Sequence, residues 1–186
     1  MYQDLSTFKL PDGFRGRPAW FVQIWWFVQA TLFRCSPQPA YGWRCFLLRI
    51  FGAQIGKRSI IRSSVTITYP WNLSIGDHVW IGDHAIIYTL SRISIGDHTV
   101  ISQLCHLCAA DHDFSVPSFP IRGKPISVGS QVWLASDVFV APGVIIGDCA
   151  VVGARSSVFR DLPSNMVCFG SPCSPVRQRV SSDYHS

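Results

Sequence analysis

An aliphatic residue returns every six positions through most of this chain, and that interval excludes most folds. Ile55, Ile61, Ile67 and Leu73 are six apart, as are Ile75, Ile81, Ile87 and Ile93, and then Ile95, Ile101 and Leu107. Two-residue slips separate these runs, and a fourth run follows after a gap: Val128, Leu134, Val140, Ile146, Val152 and Val158. A period of six matches neither a helix of about 3.6 residues per turn nor the alternation of a long strand. It matches a solenoid of parallel strands, an all-β fold in which each hexad makes one flat face and three faces close a coil. The aliphatic points into a narrow triangular core. The residue after it is often small (Gly56, Gly76, Gly82, Gly96, Ala135, Gly147, Gly153) and is expected to let the chain turn tightly. At eighteen residues per coil, side chains eighteen positions apart should stack and those six apart should lie on neighbouring faces.

One interval breaks the beat. Leu107 and Val128 are twenty-one residues apart, so fifteen residues leave the coil and return within "CAADHDFSVPSFPIRGKPIS", residues 108–127. Loops of that length in compact architecture are usually functional. This one holds His112 between Asp111 and Asp113.

The 186 residues suffice for one main domain with a substantial core. We read 1–54 as an apolar capping or interface segment with short helices, 55–162 as the solenoid with its loop at 109–126, and 163–186 as a C-terminal tail. With 48% apolar and 15% charged residues, the chain lacks the long runs of a polytopic membrane protein. The net charge of +5 suits an anionic ligand, but dispersed basic residues without a nucleic-acid-binding motif argue against nucleic acid as partner. Seven scattered cysteines and an N-terminus without a secretory pattern indicate reduced thiols in a cytoplasm. "WFVQIWWFVQATLF", residues 20–33, is too short and too interrupted for a confident span. With "YGWRCFLLRIFG" after the break at "CSPQPA", it either closes the open end of the solenoid or meets a membrane interface, at the inner face of the plasma membrane.

The hexapeptide runs, the loop with "DHDFSVPSFP", the following "PISVGSQVWLASDVFVAPGVIIGDCAVVGARSSVFRDLP" and the closing "CFGSPCSPVRQRV" resemble the O-acetyltransferases of the galactoside, maltose and nodulation group. The N-terminal half, with "ITYPWNLSIGDHVWIGD", narrows the resemblance to the colanic acid biosynthesis acetyltransferases and their exopolysaccharide relatives, over nearly the whole chain. The resemblance implies left-handed coiling, acetyl-CoA as donor, a sugar hydroxyl as acceptor, and a homotrimer with sites between subunits. His112 falls at the family's general base. An imidazole suits that task because it exchanges protons near neutrality. Asp111, Asp113 or a backbone carbonyl could orient it. The backbone N–H of Ser136 matches the oxyanion donor. Trp133 matches a wall of the pantetheine channel, Ala154 and the main chain at Phe159 match contacts to the cofactor arm, and Arg160 and Arg177 match positions near its phosphates. Where some relatives place an acceptor-holding asparagine, simple register gives Gly82, with Asp83 and His84 beside it as candidate acceptor contacts.

"IGDH" recurs three times, giving His78, His84 and His98, and "CHLC" holds Cys105, His106 and Cys108. Residues six apart face different ways, whereas a shared metal needs convergence, so no metal is expected. The rival readings are a zinc-dependent hydratase on the same fold and a non-catalytic solenoid serving as a binding module.

Overall fold

The computed structural model describes residues 2–180; the last part of the expected tail, 181–186, lies outside them. The chain is a left-handed parallel β-helix preceded by a short helical segment. Its first face stacks Gln54–Ile55, Leu73–Ile75, Ile93–Ile95, Ile126–Val128 and Ile145–Ile146. The second stacks Ile60–Ile61, Trp80–Ile81, Val100–Ile101, Trp133–Leu134 and Val151–Val152. The third stacks Thr66–Ile67, Ile86–Tyr88, His106–Cys108, Phe139–Val140 and Ser157–Val158. Met166–Gly170 continues the second face in parallel, and Cys173–Gln178 folds back on it antiparallel.

The aliphatic of each hexad fills the prism: Ile61, Ile67, Ile87, Ile101, Leu107, Leu134, Val140, Val152 and Val158 are fully buried. Eighteen-residue stacking holds only after the loop, where Val128 pairs with Ile146 and Leu134 with Val152. Before it the interval is twenty: Ile55 pairs with Ile75, Ile61 with Ile81 and Ile87 with Leu107. The two additional residues sit at the corner between third and first faces, and they explain the slips. Leu73 and Ile75 lie on one strand and both point inward, so the beat stops and restarts without leaving the core.

The small residues after the aliphatics serve a different purpose from the one expected. The left-handed backbone at the corners falls two residues later, at His78 (φ 57°), His84 (58°), His98 (55°), Gln131 (58°) and Asp137 (60°). The glycines give clearance: a Cβ on Gly82 would lie 2.6 Å from the Gln103 nitrogen, and one on Gly96 2.6 Å from the Ser130 nitrogen. This also accounts for the "IGDH" histidines as turn residues, two of which, His78 and His98, stack at 4.7 Å.

Successive residues of a strand turn their backbone groups to alternate sides, so half of those in the first coil point where no coil exists. Helices α1 (Ala19–Val28) and α2 (Tyr41–Ile50) close that end with side chains. Arg49 donates to the Ile55 carbonyl at 2.9 Å, Arg44 Nε to the Ile61 carbonyl at 2.6 Å and Trp25 Nε1 to the Ile67 carbonyl at 2.9 Å. Each face's equivalent carbonyl thus gains one donor. The Ile67 N–H, pointing the same way, donates to Gln29 Oε1. Arg44 is wholly buried without a carboxylate; its remaining donors reach Ser36 Oγ and the carbonyls of Pro37 and Gln38. Burial lowers its pKa. Replacing Arg44 by alanine strands several carbonyls, and we expect it to cost about 3 kcal/mol in urea-induced unfolding. A loss within measurement error would refute the capping role.

Candidate active site

The chain leaves the prism after the third face of the third coil. Ala110–His112 pairs antiparallel with Ile121–Gly123, setting Asp111 opposite Arg122 and His112 opposite Ile121. At the tip, Phe119 takes a left-handed conformation (φ 48°), which turns its carbonyl toward the imidazole. His112 Nδ1 donates to that carbonyl at 2.8 Å, and the two rings stack at 4.3 Å. A carbonyl can only accept, so Nδ1 carries the hydrogen and the Nε2 lone pair of the neutral ring is left free. Phe8, from the N-terminal arm, lies 6.1 Å from the same imidazole, and that arm is tied to the loop by the Asp4 N–H donating to the Pro117 carbonyl.

Neither flanking carboxylate orients the ring. Successive side chains of a strand point to opposite sides, so Asp111 and Asp113 both turn away from His112 and onto Arg122, at 3.0 and 3.1 Å. Lys124 adds a second ion pair to Asp111. Partial burial pushes the Asp111 carboxyl up, but hydrogen bonds from Arg122 and Lys124 outweigh it and leave it below the ordinary range. Asp113 is held low first by the Ser115 hydroxyl and its N–H, then by Arg122. The pair therefore clamps the base of the hairpin rather than tuning the imidazole.

Ser136 lies in the turn between second and third faces. Its carbonyl accepts from the Arg155 N–H, while among the described residues no acceptor takes its own N–H or that of Ala154, one coil on. By strand register Asp83, Gln103, Ser136 and Ala154 form one column along that edge. Trp133 stands beside the column, half exposed, its Nε1 donating to Ser102 Oγ at 3.0 Å. Phe159, across the third face, packs on Phe139 at 5.9 Å; Arg160 and Arg177 are both exposed.

The structure thus groups Trp133, Ser136 and Ala154 but not His112 with them. The hairpin leaves from the corner after the third face, and Ser136 occupies the corner before it. Asp83 is committed to Arg62 at 2.9 Å and Ser64 at 2.8 Å, whereas His84 is an exposed turn residue. Below Ser136 the second face holds a groove of about 360 Å³, walled by Ile60, Trp80 and Val100 and rimmed by Tyr41, Arg62 and Gln103. Trp80 was not anticipated, and of the orienting groups left open the backbone carbonyl is the one found, at Phe119. The aromatic could have been found from its outward place in the hexad; a main-chain carbonyl leaves no residue signature. Among the described residues, no group of three or more His, Cys, Asp or Glu is placed to hold a metal.

No protein-family model matches the chain. It is 58% identical to the "Putative colanic acid biosynthesis acetyltransferase WcaF" of Escherichia coli (strain K12), over 97% of this chain and 100% of that protein. Among solved structures, a maltose O-acetyltransferase from Clostridium difficile 630 superposes with a TM-score of 0.79 at 26% identity, covering 88% of this chain and 90% of that one. A galactoside acetyltransferase in complex with coenzyme A gives 0.75 at 25% identity, covering 96% and 88%. The chain belongs to the hexapeptide-repeat acetyltransferases, in the branch that contains the colanic acid biosynthesis enzyme.

Because Asp111 and Asp113 titrate below their unfolded values, their ion pairs contribute fully above the ordinary carboxylate range and are lost as pH falls through the lowered values. Amide exchange across residues 110–123 should accelerate only below about pH 4. Arg122→Gln should bring the same loosening at neutral pH without shifting global unfolding; unchanged exchange in that variant would rule out the clamp.

Proposed function

We propose that the protein transfers acetyl from acetyl-CoA to a sugar hydroxyl in exopolysaccharide biosynthesis, with His112 as general base and without an acyl-enzyme. The observation that carries this reading is the Nδ1 hydrogen bond to the Phe119 carbonyl, which leaves Nε2 as the proton-accepting atom at the end of a clamped hairpin. As the acceptor oxygen forms its bond to the thioester carbon, Nε2 takes the hydroxyl proton. The negative charge passes to the former carbonyl oxygen, where the Ser136 N–H donates to it. Collapse expels the coenzyme A thiolate, which recovers the proton from the imidazolium.

The donor substrate fits the edge that bears Ser136. Two N–H groups without acceptors among the described residues, one coil and roughly 4.8 Å apart along the axis, suit an extended arm carrying amides. Trp133 would wall that channel, Ala154 and the main chain at Phe159 would touch the arm, and Arg160 and Arg177 would meet its phosphates. The acceptor fits the groove below: Trp80 offers a flat apolar plate for a sugar ring, and Arg62 and Gln103 offer hydrogen bonds to hydroxyls. Asp83, held by Arg62, would set that arginine's position, and His84 lies on the same edge.

Since the hairpin and the Ser136 column leave the prism at different corners, the site is completed by a second chain. A homotrimer of parallel prisms, with each His112 facing the Ser136 edge of a neighbour, gives three such sites and meets the rule that oligomers close symmetrically.

His112→Ala should lower acetyl transfer to a cognate sugar by roughly 10²- to 10⁴-fold while coenzyme A binding persists, followed with a thiol reagent and by calorimetry. Turnover equal to the parent would remove the base from the mechanism. Trp80→Ala should raise the acceptor KM with a smaller effect on the acetyl-CoA KM. Loss of acetyl from the exopolysaccharide of cells lacking the protein, read by mass spectrometry, tests the substrate class.

A further inference from the structure

We infer that the end of the prism closed by α1 and α2 is a docking surface for an anionic lipid bilayer. The faces these helices turn toward the first coil are used up: Val22, Trp25 and Phe33 on the first segment and Arg44, Cys45, Leu47 and Leu48 on the second are buried. The opposite faces are also apolar, and among the described residues nothing covers them. Trp20, Ile24 and Phe27, spaced to lie on one side of α1, are 63%, 46% and 67% exposed. Trp43, Phe46 and Ile50 do the same on α2, at 42%, 50% and 57%. Leu32, half exposed, links the two, since Trp43 Nε1 donates to its carbonyl and the Trp43 ring packs on Phe46 at 5.8 Å. Scattered surface apolar residues need no explanation, but two adjoining stripes rich in tryptophan and phenylalanine do.

Charge selects the occupant. Between residues 13 and 76 the sequence has eight basic residues and no acidic one. Arg17, Arg34, Arg49 and Arg58 are exposed there, and none of them takes part in an ion pair among the described residues. Aromatic side chains flanked by arginines suit the boundary between headgroups and acyl chains, where rings sit among headgroups and guanidinium groups meet phosphates. A second copy of the same face would instead set arginine against arginine with no carboxylate to answer it. Among the described residues no helix is long and apolar enough to cross a membrane, so the contact lies in the plane of the surface. This inference does not depend on the acetyl-transfer reading, and its test measures no activity.

The full chain should float with vesicles of phosphatidylcholine mixed with phosphatidylglycerol, bind far less to phosphatidylcholine alone, and dissociate as salt is raised. The triple substitution Trp20→Ser, Phe27→Ser and Phe46→Ser removes only exposed side chains, so it should abolish flotation at an unchanged melting temperature and unchanged mass by light scattering. Arg17→Gln with Arg34→Gln should weaken binding roughly ten- to thirtyfold. The inference is overturned if the parent fails to float with anionic vesicles or if the triple variant floats equally well. A fall in assembly mass in the triple variant overturns it too, because the stripes would then be a contact between chains.

Discussion

Each coil pairs its backbone groups with the coil before and the coil after, and the rest of the molecule answers to the two ends where one of those neighbours is missing. A closed barrel has no first strand, but a solenoid does, and the first coil here turns the carbonyls of Ile55, Ile61 and Ile67 toward empty space. Each unmet buried backbone group costs about 1–3 kcal/mol, so the end must be covered by donors. Three side chains, those of Arg49, Arg44 and Trp25, serve one face each, Arg49 with two of its N–H groups. This explains an arginine buried without a counter-ion: its fork serves three carbonyls and a hydroxyl, whose partial charges converge on it from four residues. The opposite end needs less, since Met166–Gly170 adds a strand and Cys173–Gln178 folds back along it.

A stacked prism is rigid along its axis, and chemistry has to be hung on its corners. The corner between second and third faces keeps the same short turn from coil to coil, and so presents a straight column of main-chain groups. The corner between third and first faces varies in length, by two residues in the early coils and by an entire hairpin at His112. Regularity at one edge suits an extended substrate, and freedom at another suits a reactive side chain. The width of the third face separates them, so the fold that makes each part also keeps them apart within one chain.

The six-residue beat was legible because an inward column tolerates only aliphatic side chains, and the position of the hairpin was legible as the one place where the beat fails. The two-residue slips of the early coils were visible too, but not that they lengthen each coil to twenty residues. Leu73 and Ile75 both point inward from one strand, with Ser74 turned outward between them, so the slip reads as one run ending and another beginning. Clearance and turning were likewise conflated at the glycines, because both favour the smallest residue. In the loop the sequence left Asp111, Asp113 and a backbone carbonyl open; a strand sends neighbours to opposite sides, which removes the two carboxylates, and the carbonyl is that of Phe119. The donors that close the first coil were hidden in a segment whose tryptophans and arginines also suit an interface, and the structure divides that composition between two faces of the same helices.

That division fixes a distance. The helices lie under the first coil, and the hairpin leaves from the third, two steps of roughly 4.8 Å higher. A helix layer adds about 10 Å, so a surface touching Trp20, Phe27 and Phe46 lies about 20 Å below His112. In an assembly of parallel prisms every cap faces the same way, and each imidazole stands at the same height. A headgroup-sized substrate lying flat on the surface would not reach it, whereas an acceptor extended by a few linked units would. The open first coil, which needs a cap, would thereby set both the face offered to the proposed surface and the height above it of the proposed base, His112.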